Sequence, residues 1–208
     1  MDLPRLYPII DTAVCDERGM DPVALADACL AGGARLLQVR APKDESSAAL
    51  VQLAERIVAA AHRLDARVIV NDRADIARLA KADGVDVGQT DLPVAAVRAI
   101  VGPDALVGIS THDREQIDAA LAGDATYLAV GPVFVTTTKD TGYTPRGLDL
   151  VRYAGHRGKP VVAIGGITLD RAAAVVAGGA SAVAVISDVL VGRDPETRVR
   201  AFLERLRA

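Results

Sequence analysis

The chain has 208 residues, half of them apolar but only 3% aromatic and none of them Trp, so its core must be built from Ala, Val, Leu and Ile. Its 24 basic and 27 acidic residues leave a formal net charge of −3, too balanced to hold nucleic acid or an anionic membrane by field alone; an anionic ligand would need a few well-placed cations. The opening MDLPRLYPII lacks a charged stretch followed by an apolar one, and no window approaches the ~18 apolar residues of a membrane span, so neither a signal peptide nor a span is expected.

Short apolar runs alternate with segments whose apolar residues recur three or four apart. RLYPII (5–10) reads as a strand ending in Asp11-Thr12, with Cys15 in the loop beyond it. DPVALADACLAGG follows as a helix, opened by the capping carboxylate of Asp21 before Pro22 and closed by Gly32-Gly33. RLLQVR (35–40) is the next strand, and its Gln38 and Arg40, two apart, point to one side. After the helix SSAALVQLAERIVAAAHRL comes RVIVND (67–72), which ends in Asn71-Asp72, and then the helix RADIARLAKAD. GVDVG (84–88) runs into Gln89 and Asp91 ahead of the helix LPVAAVRAIVG. LVGIS (106–110) leads through Ser110, Thr111 and His112 into the helix HDREQIDAALAGD. YLAVGPVF (127–134) gives way to three threonines and Lys139, followed by the helix GLDLVRYAGHRG. PVVAIGGI (160–167) contains Gly165-Gly166, and the helix TLDRAAAVVAGGA closes on Gly178-Gly179. SAVAVIS (181–187) reaches Ile186-Ser187-Asp188, and Asp194-Pro195 opens the last helix.

Strands alternating with helices over short connections make right-handed β-α-β units and a parallel sheet. Eight of each over residues 1–208 predict a single-domain (β/α)8 TIM barrel, with a doubly wound open sheet as the alternative. Cys15 and Cys29, unmatched in a chain this long, read as reduced and structural, which makes the cytoplasm the expected compartment.

Polar residues gather where the strands end, the face on which such barrels do chemistry. Each group also has a plainer reading. Asn71-Asp72 and Asp91 are placed to cap the helices that follow them. Arg40 suits an ordinary ion pair, His112 a solvated helix start, and Gly165-Gly166 a tight strand end. Together they add up chemically. Asp72 and Asp91 offer two hard oxygen ligands suited to Mg²⁺, while Arg40, Lys43 and Lys139 supply cations for a phosphate-rich ligand. The loops at Gly165-Gly166 and Ile186-Ser187 match the recurrent phosphomonoester site of this architecture. Two anion sites, one metal-assisted and one metal-free with Thr136, Thr138 and Lys139 between them, point to a transferase acting on two small-molecule substrates.

These motifs resemble one family, thiamine-phosphate synthase. The similarity is carried by LQVRA, VNDRADIA, DGVDVGQTDLP, GISTHD, VGPVFVTTTKDTG, VVAIGGIT and AVISD, in order over nearly the whole chain. The resemblance implies a (β/α)8 barrel that joins a hydroxymethylpyrimidine diphosphate to a hydroxyethylthiazole phosphate by a dissociative path, releasing pyrophosphate, and it leans towards a homodimer. By position it implies that Asp72 and Asp91 hold Mg²⁺ against the diphosphate and that Arg40, Asn71, Ser110 and Lys139 grip the same leaving group. Gln38 would contact the pyrimidine, and Thr136, Thr138, Gly166, Ile186 and Ser187 would bind the thiazole phosphate. Where the family reads Q-x-R-x-K, this chain reads QVRAPK: Pro42 takes the lysine position, and Lys43 is expected to serve the diphosphate from one residue later. The rival readings are a thiazole tautomerase of the same superfamily, with His112 as its acid–base residue, and a non-catalytic phosphate-binding barrel.

Overall fold

Alternation within each apolar run decides where its side chains go. In the computed structural model, which describes residues 3–136, 138 and 142–207, the eight runs form eight parallel strands that close into a barrel in chain order. The strands are β1 (Leu6–Asp11), β2 (Leu36–Arg40), β3 (Arg67–Asn71), β4 (Gly84–Val87), β5 (Leu106–Thr111), β6 (Tyr127–Val130), β7 (Val161–Ala163) and β8 (Ala182–Val185). Around them lie α1 (Thr12–Arg18), α2 (Pro22–Ala31), α3 (Ser47–His62), α4 (Ala74–Leu79), α5 (Val94–Val101), α6 (Arg114–Ala122), α7 (Gly147–Ala154), α8 (Leu169–Ala177) and α9 (Pro195–Arg205). A 3₁₀ segment, Ser187–Arg193, links β8 to α9.

Alternate residues such as Leu6, Ile10, Leu37, Val39, Val68 and Val70 face outward and join the helices in one continuous apolar layer. The others, including Tyr7, Ile9, Leu36, Ile69, Leu106 and Tyr127, fill the barrel interior. The expected caps hold: Asp21 accepts from the Ala24 amide at 2.8 Å and Asp194 from the Thr197 amide at 3.1 Å, each with proline next in the chain.

Two expectations need correction. Cys15 lies on α1 rather than in a loop, because the Asp11 carboxylate accepts from the Val14 amide at 3.1 Å and starts a helix directly after β1. Strand pairing in β6 stops at Val130, not Phe134: Pro132 has no amide hydrogen to give to the ladder. The chain nevertheless stays tied to its neighbour, through Val133 N to Ile164 O at 2.9 Å and Phe134 N to Gly165 O at 3.0 Å.

Cys15 and Cys29 are both buried free thiols. Burial, joined by nearby carboxylates for Cys15, pushes them up to about 11 and about 12 respectively. The ordinary thiol value is about 8.5, so the native state holds these protons more tightly than the unfolded chain does. Their contribution is fully present below about pH 8.5 and is lost as the pH rises through 11 and 12. Urea unfolding free energies should therefore fall above roughly pH 9, and Cys29→Ala should fall less steeply. Equal alkaline slopes for the two proteins would take Cys29 out of that limb.

Candidate active site

A cavity of about 800 Å³ opens at the C-terminal ends of the strands. Its lining includes Gln38, Arg40, Lys43, Asn71, Asp72, Asp91, Ser110, Thr136, Thr138, Gly166, Ile186 and Ser187, twelve of the thirteen residues singled out from the sequence. The thirteenth, Lys139, lies outside the described residues.

On the β1–β4 side, Asp11 and Arg40 are register partners on adjacent strands, and their side chains form an ion pair. Asp11 thus does two things, capping α1 through one oxygen and holding Arg40 through the other. The plainer reading of Arg40 is therefore fulfilled, but the ion pair engages only Nη1, and the guanidinium still lines the cavity.

Neither aspartate does what a helix cap does. The N-cap of α4 is Arg73 and that of α5 is Pro93, both without a side-chain cap bond, so the capping reading of Asp72 and Asp91 is overturned. Asp91 turns back instead and accepts from the Gly88 amide at 2.9 Å, tying down the loop after β4. Asp72 sits in the left-handed region at φ +59° and its side chain meets that of Asp91. Partial burial pushes the Asp91 carboxyl up, but the Gly88 amide, the hydrogen bond with Asp72 and the Lys43 ammonium together outweigh it and hold it below the usual carboxylate range. Lys43 reaches Asp91 at 3.4 Å from an exposed position at the rim, so the proline-shifted lysine does turn toward this wall.

Two hard carboxylates brought into contact, one of them kept ionised, suit a cation that takes one or two protein oxygens and completes its shell with water and phosphate. Among the described residues no cluster of three or more His, Cys, Asp or Glu side chains that could hold a metal ion occurs.

The centre of the cavity holds a polar chain whose inner members, Asp86, Tyr127 and Tyr7, lie outside the strand-end motifs. Asp86 on β4, 5% exposed, accepts from Ser110 Oγ at 3.0 Å, so the Ser110 hydroxyl points to a carboxylate. The Tyr127 hydroxyl bonds to Asp86 and lies 3.3 Å from that of Tyr7, which in turn accepts from Gln38 Nε2 at 3.1 Å. Burial and the Asp86 charge push both phenols well above their ordinary range, keeping them neutral.

Across the mouth, Gly165 and Gly166 adopt φ +101° and +61°, and a Cβ on Gly166 would stand 2.3 Å from Val135 O. The bare turn thus packs directly under the threonine segment, where the Thr138 amide bonds Thr136 Oγ1 at 3.3 Å. Ile186 and Ser187 complete this wall, and Arg171 clasps it by donating to Gly166 O at 2.8 Å while lying over the Phe134 ring. His112 is no solvated helix start: its Nδ1 lies 2.6 Å from Gly131 O and its ring stacks on Tyr143 at 4.1 Å.

Known proteins resemble this chain over nearly its whole length. The family model described as thiamine monophosphate synthase matches residues 6–189. A thiamine-phosphate synthase of Anaeromyxobacter dehalogenans is 48% identical over 91% of this chain and 86% of its own length. The chain belongs to the thiamine-phosphate synthase family. A synthase of that name from Mycobacterium tuberculosis is 44% identical, over 98% of this chain and 93% of its own. Among solved structures, a thiamine phosphate pyrophosphorylase from Pyrococcus furiosus superposes with a TM-score of 0.87 at 30% identity, covering 98% of this chain and 95% of that one. The family is one of transferases. Among the described residues no helix is long and apolar enough to cross a membrane.

Proposed function

We propose that the chain, acting as one catalytic unit, joins 4-amino-5-hydroxymethyl-2-methylpyrimidine diphosphate to 4-methyl-5-(2-hydroxyethyl)thiazole phosphate. The path is dissociative: the carbon–oxygen bond breaks with its electrons leaving on pyrophosphate, and the thiazole ring nitrogen then forms a bond to the cationic pyrimidine methylene carbon. The nitrogen attacks through its own lone pair, so no proton has to move. The observation that carries this reading is a single cavity with a carboxylate pair and Arg40 on one wall and a two-glycine turn with Ile186-Ser187 on the other.

Each described group has a task that its surroundings support, and Lys139 takes its task from its place in the sequence. Arg40, aimed by Asp11, and Asn71 would hold the diphosphate, joined by Lys43 from the rim and by Lys139. Ser110 would join them by rotating its hydroxyl away from Asp86. Asp72 and Asp91 would hold Mg²⁺, which when bound neutralises charge on the departing pyrophosphate. Gln38 would take the pyrimidine edge. Gly166, Ile186 and Ser187, largely through their backbone, would take the thiazole phosphate together with Thr136 and Thr138. Because the leaving group gathers negative charge, these preplaced cations and amides lower the barrier without a covalent nucleophile.

Purified protein given both precursors and Mg²⁺ should release pyrophosphate in step with product. A folded sample that releases none sinks the proposal. Isomerisation of a thiazole carboxylate phosphate without pyrophosphate release would favour the tautomerase reading instead.

A further inference from the structure

We propose that Asp86, acting through Tyr127 and Tyr7, fixes the orientation of the Gln38 amide and so makes the site select a 4-aminopyrimidine over its 4-oxo counterpart. The inference rests on the proposed function only in seating the pyrimidine beside Gln38.

The geometry begins with strand register. Asp86, Gly108 and Tyr127 are successive partners across β4, β5 and β6, and all three face inward. Parallel neighbours in register point the same way, so a side chain at position 108 would fill the space between the other two. There is none: a Cβ on Gly108 would stand 2.2 Å from Tyr127 Cζ and 2.3 Å from Asp86 Oδ2. The vacant position lets the phenol lie over β5 with its hydroxyl on the carboxylate. From there the chain crosses the barrel through the Tyr127 and Tyr7 hydroxyls, 3.3 Å apart, to Gln38 on β2.

Direction is what the carboxylate adds. An ionised carboxylate only accepts, and Asp86 takes one hydroxyl from Ser110 and another from Tyr127. With its proton given to Asp86, Tyr127 can only accept from Tyr7, and Tyr7, its own proton spent, can only accept from Gln38. A phenol in that state takes an N–H and rejects a carbonyl. The amide is therefore held with Nε2 toward Tyr7, matching the 3.1 Å contact. Among the described residues nothing else engages Gln38, so its carbonyl and its second N–H are left for a ligand.

That edge reads acceptor then donor. A 4-aminopyrimidine offers the complement, with its amino group donating to Oε1 and its ring nitrogen N3 accepting from Nε2. The 4-oxo ring carries N3–H and a carbonyl at the same two positions, so it sets donor against donor and acceptor against acceptor. Turning the amide over would exchange the preference. Replacing Asp86 with a group that can donate would allow the whole chain to reverse. Asp86, Tyr127 and Tyr7 are on this account positioning residues, touching the ligand only through Gln38.

The test is calorimetric binding of the aminopyrimidine diphosphate and its 4-oxo analogue in Mg²⁺, with inorganic pyrophosphate as a probe of the diphosphate wall alone. Wild type should prefer the amino ring by roughly 5- to 150-fold, the range for bidentate edge recognition of bases. Tyr7→Phe and Tyr127→Phe should each lose most of that ratio while pyrophosphate affinity stays within about twofold; Asp86→Asn should lose it too, and is judged on the ratio alone because Asp86 also holds Ser110. Asp86→Asn goes furthest, because Asn can donate to Tyr127 and Phe cannot. Three variants guard against one that fails to fold. Equal wild-type affinity for the two rings overturns the inference, as does a variant that binds pyrophosphate normally and keeps the wild-type ratio. Because binding needs no turnover, a protein that makes no product yet shows this selectivity, lost in the variants, would sink the proposed reaction and keep the inference. One that binds pyrophosphate but gains nothing from either ring would overturn both.

Discussion

Asp91→Asn should slow pyrophosphate release by about 10²–10³ while changing unfolding free energy by no more than about 1 kcal/mol. The asymmetry follows from what Asp91 touches. One oxygen accepts from the Gly88 amide at 2.9 Å, and an Asn carbonyl of the same size can keep that bond, so the loop after β4 stays where it is. What disappears is the negative charge that meets Asp72 and draws Lys43 to 3.4 Å. A weakened cation site should also raise the Mg²⁺ concentration needed for half-maximal rate. Matching rates at every Mg²⁺ concentration would remove Asp91 from the cation site. A large fall in stability with the rate retained would reduce it to a tether for the loop.

Gly166→Ala should raise the half-saturating concentration of the thiazole phosphate by at least about tenfold and lower the melting temperature as well. Two costs combine. At φ +61° an alanine carries backbone strain of about 1–2 kcal/mol. In addition its Cβ would meet Val135 O at 2.3 Å and Phe134 Cβ at 2.9 Å, and overpacking of this kind costs about 1–3 kcal/mol. The obstructing atom is backbone, so relief requires moving the segment that carries Thr136 and Thr138. Gly19→Ala is the matched control, since Gly19 also sits at φ +61° but a Cβ there meets nothing within 4 Å. Equal losses in the two variants would mean that strain alone is responsible and that the close packing of the two loops is irrelevant to binding.

What could be read from the sequence divides along a physical line. Strand and helix periodicity, prolines after aspartates and paired glycines are local signals, and they located the eight strands and the helices after them. Motifs at strand ends are a local signal too, and the twelve described site residues taken from them line one cavity. Three features were not legible. TAVCDER is a short stretch with no repeating apolar face, and only the tertiary position of Asp11 makes it helix α1. Asp72 and Asp91 carry the composition of caps, yet the turns they occupy direct them to each other and to Gly88. The chain from Asp86 to Gln38 joins β4, β5, β6, β1 and β2, residues far apart in sequence that only barrel closure brings together. A signal for it did exist: a carboxylate at the centre of GVDVG in a buried strand must find partners, and two tyrosines on inward-facing positions were available to supply them.

The left-handed backbone at Asp72 has a consequence for how this chain can change over generations. At φ +59° Gly, Asn and Asp settle at the lowest cost, and among those three Asp alone is charged. Glutamate, ordinarily the mildest exchange for aspartate, would enter with strain and with an extra methylene in a place already shared with Asp91. The turn therefore biases its own substitutions: so long as its shape persists, the two cheapest exits at position 72 are both uncharged.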